Sequence, residues 1–239
     1  MNLTVARITA RALLGRRRFL LLVPLPILVI GLTILAKAVA PDSADQWGLA
    51  IINGLGIHVL LPIVALIVGT AVLGAEIDDG TIVHILAKPL HRREIILAKL
   101  AVAVAVTVVV SAVPMFIAGA VAVSPRYGLG LVVGCVIGSL AYCSFFVLLS
   151  LLTRRPVLLG LLYVLLWESL LTNLLSSTRV LSVAHYSIAV AESVGGSPHL
   201  LTTRVSVPLA LVMTGVFTLV GTLLAIDRLR SFTLTGETS

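Results

Sequence analysis

EIDDGTIVHILAKPLHRREIILAK, residues 76–99, is the longest polar interruption between two apolar runs of membrane-crossing length. It holds Glu76, Asp78, Asp79 and Glu94, four of the ten acidic residues, and Lys88, Arg92, Arg93 and Lys99, four of the seventeen basic ones. Such a concentration stands out because the rest of the chain has so little charge. Of 239 residues, 59% are hydrophobic and 11% charged, with a mean hydropathy of +1.16. A soluble domain keeps about a quarter of its residues charged so that its surface can face water. A chain this poor in charge is solvated by lipid.

On either side of this segment, uncharged windows mark the spans, since about 20 apolar residues cross the hydrocarbon as a helix. They are 19–36, 49–75, 100–125, 127–153, 156–178 and 205–226, the fifth carrying Glu168. Helices satisfy every backbone polar group within the span, and the two-residue alternation of a membrane barrel is missing. The expected fold is all-α: a polytopic membrane protein with six transmembrane helices, forming one domain over 1–239.

Orientation follows from Lys and Arg. With six spans both termini share a side, and that side carries Arg7, Arg11, Arg16, Arg17, Arg18, Lys88, Arg92, Arg93, Lys99, Arg154, Arg155, Arg228 and Arg230. The other carries only Lys37, Arg126, Arg179 and Arg204. Both termini and segment 76–99 are therefore expected in the cytoplasm, in a cell (inner) membrane. The net charge of +7 then reflects topology and attraction to anionic membrane lipid, and no nucleic acid is implied. Arg7, Arg11 and Arg18 share one helical face, with Val5, Ile8 and Ala12 roughly opposite. This suits an amphipathic helix over 1–18 on the cytoplasmic surface or a plain basic anchor. The apolar run after Arg18 lacks a small-x-small cleavage site, unlike a secretory signal.

Cys135 and Cys143 sit eight residues apart on one helix, about 12 Å of rise, too far for a disulfide. Gly130, Gly134 and Gly138 repeat at i, i+4, i+8, which admits another helix closely. That helix belongs either to this chain or to a second copy. Pro24, Pro26, Pro62 and Pro114 are expected to start or kink helices.

Catalytic motifs are missing. Without a Gly-Lys dipeptide there is no phosphate-cradling loop, and HExxH does not occur. His58, His84, His91, His185 and His199 have no metal-site spacing, and no Gly-x-Ser-x-Gly is present. No catalytic, cofactor-binding or metal site is expected in this chain. An energy source must come from a partner, or the role is passive or ion-driven.

Within 76–99, Asp78 and Asp79 precede Gly80-Thr81 and supply cap-forming, negatively charged groups for a helix start. Pro89 biases Lys88 away from helix. The two turns between place Ile82, Ile85 and Leu86 on one face and Thr81, His84 and Lys88 on another. A helix so short needs a partner surface to be stable.

Together, Glu76-Ile-Asp-Asp-Gly80-Thr81, Leu86-Ala-Lys-Pro89-Leu90-x-Arg92 and Ile95-Ile-Leu-Ala-Lys99 resemble the signature of ABC-2 type permeases. The resemblance implies the transmembrane subunit of an ABC exporter, driven by separate cytoplasmic ATPase subunits that hold ATP and Mg. The resemblance also implies pairing with a second permease copy, identical or related. Residues 81–88 would be the coupling helix seated on the ATPase. Glu76, Asp78 and Asp79 would lie on the acidic side of that contact, and Arg92 and Arg93 on the basic side. A plain solvated loop is the alternative reading of 76–99.

The outer segment 176–206 mixes Arg179, His185, Tyr186, Glu192 and Gly195-Gly196 with apolar stretches. It is expected to form short helices dipping into the outer leaflet, or an ordinary loop. Glu168 lies in a span, where a carboxylate is costly and faces a cavity or a partner. It contacts substrate, forms a gate pair with Lys37, Arg179 or His58, or orders the helix ends; Trp167 beside it can anchor at the interface. Short outer loops favour export, and the Val-, Leu- and Ala-rich faces favour an amphipathic or lipid-like cargo such as a drug or antibiotic. Competing readings are a secondary transporter that needs no ATPase and a membrane scaffold or immunity protein.

Overall fold

The computed structural model describes residue 9 and residues 22–78, 92–171, 181–196 and 205–231. The expected interfacial helix over 1–18 and the coupling turns after Asp78 therefore fall almost wholly outside the described residues.

Among the described residues every regular element is helical. Helix α1, Pro24–Val39, starts with proline at its first position, where the missing N–H costs nothing. A long apolar stretch then changes pitch along its length. It passes from a 3-10 turn at Pro41–Ser43 through α2, Ala44–Gly48, to wide π-helical turns over Leu49–Leu60, and on to α3, Leu61–Asp78. Helix α4 is Arg92–Ala122 and contains Pro114. Helix α5 is Pro125–Leu152, with Ser124 Oγ accepting from the Tyr127 N–H at its N-terminus. Helix α6, Pro156–Tyr163, runs into wide turns over Val164–Leu171. Helices α7, Val183–Gly195, and α8, Val207–Ser231, complete the order.

Four described helices are long and apolar enough to cross a membrane: Pro41–Gly74, Arg92–Ala122, Pro125–Leu152 and Val207–Leu229. The other two expected spans are represented by the shorter apolar helices Pro24–Val39 and Pro156–Glu168. Of those two spans, residues 19–21 and 172–178 lie outside the described residues. The helices also overrun the charge-free windows. The second begins at Pro41 rather than 49, and the third at Arg92 rather than 100. Counting apolar residues finds the part that lipid must solvate, whereas the helix continues through its polar ends because its backbone bonds do not stop there.

Helix α5 is the centre of the bundle and packs on α3, α4, α7 and α8. Of its apolar window 67% is buried inside the protein, against 33% for the peripheral α8. Close approach depends on glycine. A Cβ at Gly130 would fall 2.4 Å from the Ala191 carbonyl oxygen, and one at Gly134 2.6 Å from that of Ser187. At Gly138 it would meet Ser187 Oγ and, at 2.6 Å, a methyl of Leu61. The stripe is thus occupied by α7 of the same chain, which decides between the two occupants the spacing allowed. Hydroxyls inside the bundle bond back to their own helices, as Thr33 to the Val29 carbonyl and Thr70 to that of Leu66, both at 2.7 Å. That satisfies them where water is excluded. Cys135 and Cys143 are buried free thiols.

Candidate functional site

Two fastenings flank the segment singled out by the sequence. Lys99 is 1% exposed, and its Nζ donates to the Val72 carbonyl at 2.9 Å. This ties α4 to α3 one to two turns before α3 ends. Arg92, at the first position of α4, donates from Nη1 to the Leu229 carbonyl at 2.9 Å. That carbonyl belongs to the last turn of α8, where backbone acceptors lack intrahelical donors and the helix dipole favours a cation. The helices that lead into and out of 79–91 are therefore fixed to each other and to α8. Arg93 is exposed beside them.

Glu76 and Asp78 fall in the last turns of α3. Asp79, Gly80, Thr81, Ile82, His84, Ile85, Leu86, Lys88 and Pro89 lie outside the described residues. The sequence reading assigned Arg92 to a partner contact and Lys99 only to the opening of the third span. Their backbone acceptors lie far away in sequence. The one visible signal was a lysine, Lys99, on the same helical face as the buried Ile95.

At the other end of the bundle lies Glu168, fully buried. Its carboxylate accepts from Ser182 Oγ at 2.5 Å and from the Val183 backbone N–H at 3.0 Å, with the Tyr163 hydroxyl at 3.5 Å. Ser182 is the N-cap residue of α7, and its own side chain makes no capping bond. Glu168 caps α7 from another helix instead. A carboxylate there satisfies orphan donors and faces the positive end of the helix dipole, which is how it is tolerated in a span. Tyr142 and Tyr186 lie within electrostatic reach of the same carboxylate. Trp167 Nε1 donates to the Leu181 carbonyl at 3.4 Å, so two adjacent residues grip the run-in to α7.

The other proposed gate residues have different partners. Lys37 Nζ donates to the Val121 carbonyl at 3.3 Å. His58 Nδ1 pairs with the Asn53 carbonyl at 2.8 Å, and its ring meets His185 edge-on with centroids 6.2 Å apart. The structure does not bring Lys37 or His58 to Glu168, and Arg179 lies outside the described residues. Ser182 and Val183 were not foreseen as partners. Nothing in the sequence before Val183 marked a cap supplied from another helix.

Taken together, these groups hold helices to one another. The family model described as "ABC-2 family transporter protein" matches residues 14–184. No curated protein matches the chain.

Proposed function

The chain belongs to the ABC-2 transporter family, and on that footing we propose that it is the permease subunit of an ABC exporter driven by ATP hydrolysis on separate cytoplasmic ATPase subunits. As a member of that family it is a multi-pass membrane transport component. The observation that carries the finer reading is the bracing of α3 and α4 on either side of 79–91. Lys99 and Arg92 make the two flanks one body with α8. A push received by residues 81–88 then moves three helices together instead of bending a loop.

In this reading Thr81, His84 and Lys88 face one side of the coupling helix, and Ile82, Ile85 and Leu86 dock on the ATPase. ATP and Mg are bound by that partner. Two permease copies, identical or related, enclose the path of an amphipathic or lipid-like cargo. Glu168 and Trp167 hold α7 at the outer end, where the path opens.

Affinity purification of the tagged permease from its own membrane, with identification of co-purifying nucleotide-binding subunits, tests the proposal. Wild type should retain the nucleotide-binding subunit. Leu86→Asp should lose it while the permease stays monodisperse and helical. Failure of wild type to retain any such subunit, or transport undiminished in Leu86→Asp, would leave an ATPase-independent carrier or a scaffold as the better account.

A further inference from the structure

At the basic end of the bundle, α3, the end of α5 and α6 enclose an open groove of about 1040 Å³. Its rim is the turn Thr153-Arg154-Arg155, held in shape by the Arg155 N–H donating to Thr153 Oγ1 at 3.2 Å. Both arginines line the groove and are exposed. Below them the wall is aliphatic, with Leu158, Leu161, Leu162 and Leu165 from the α6 side. Among the described residues no acidic one lines it. A smaller cavity of about 290 Å³ at the same end carries Asp227 beside Arg228, so its basic charge already has an acidic neighbour. Among the described residues, no acidic side chain in the lining of the larger groove answers its positive rim.

The geometry points to this groove as a binding site for an anionic phospholipid of the leaflet at the basic end. Its phosphate sits on Arg154 and Arg155, and its acyl chains lie along α6. Three features select this occupant. Two adjacent guanidinium groups match phosphate oxygens, and each basic residue near an anionic membrane surface strengthens binding several-fold. Helix α6 begins at the rim with no side-chain cap, which adds the favourable end of its dipole. The wall from Val157 to Leu165 rises about 12 Å, close to the roughly 15 Å of one hydrocarbon leaflet. A free phosphate would use the rim and leave that aliphatic wall bare; a lipid tail covers it.

Chain-spin-labelled phosphatidylglycerol and phosphatidylcholine in liposomes containing the purified permease read this site directly, without ATPase or transport. The result therefore stands or falls separately from the exporter reading. Wild type should immobilise phosphatidylglycerol with a selectivity roughly tenfold or more over phosphatidylcholine. Arg154→Gln/Arg155→Gln should bring the two lipids close to parity. Leu162→Trp keeps both charges but fills the groove, and should also lower the immobilised fraction. Arg228→Gln, at the same end, should leave selectivity unchanged. Full selectivity in the double variant overturns the proposal. So does an equal loss in Arg228→Gln, because binding would then be diffuse attraction to the whole basic end.

Discussion

Glu168 places a carboxyl group where lipid gives no solvation, and its environment supplies the partners it needs there. The Val183 N–H and the Ser182 hydroxyl both point at it. Glu168→Gln keeps a carbonyl acceptor but puts an amide group in place of the second oxygen, and should lower stability by about 1–2 kcal/mol. Glu168→Leu leaves two buried donors unanswered and should lower it by about 2–5 kcal/mol. Thermal unfolding of the detergent-purified variants, followed by helix signal, separates the two. Lys99→Ala removes a buried chain together with its bond to Val72, and should lower stability by about 2–4 kcal/mol in the same assay. The sequence exposed Glu168 as an anomaly, because charge inside an apolar run is expensive, whereas Lys99 read only as the opening of the third span. Their partners were hidden. Lys99 reaches a carbonyl of another helix and Glu168 the N–H and the N-cap hydroxyl at the start of α7, and no pattern of side chains marks which of these will be near.

The α5–α7 contact shows the same divide between what periodicity reveals and what it hides. Gly130, Gly134 and Gly138 announce that some helix lies close, and they do so through spacing alone. Which helix does so depends on how residues far apart in sequence meet. Helix α7 was expected only as one of several short helices in 176–206, yet nine of its thirteen residues are buried. Gly134→Val should force α7 off α5 and lower stability by about 1–3 kcal/mol, because its Cβ would press on a backbone oxygen at 2.6 Å. Gly215→Ala in α8 has nothing within 4 Å of its Cβ. It should be neutral or gain up to about 1 kcal/mol from helix propensity. A pair of melting curves checks both.

Across the molecule, the exposed cations separate by end. Arg93, Arg154, Arg155 and Arg228 cluster with the flanks of 79–91, while Lys37 and Arg126 lie at the opposite end. If the basic end faces the cytoplasm, Arg93→Cys should react with a membrane-impermeant maleimide only in inside-out vesicles, and Lys37→Cys only in intact cells. Cys135 and Cys143 are buried and should stay silent, so the native background is low. The reverse pattern would invert the orientation. Charge-free windows located the four helices long and apolar enough to cross a membrane, since lipid imposes that constraint on every residue. They could not find the π-helical turns of Leu49–Leu60 or the true helix starts, which depend on backbone pairing and packing.

The burial of α7 against the glycine stripe also sets an order of events in biosynthesis. Helix α5 leaves the ribosome with Gly130, Gly134 and Gly138 uncovered, and it stays so until the chain has grown past Gly195. At 13 residues, α7 is too short to be held across the hydrocarbon by itself. It can settle only against an α5 already in place, with Glu168 waiting at its N-terminus. The seam on α5 therefore closes only after α7 has been made, and a chain stalled before that point carries it open.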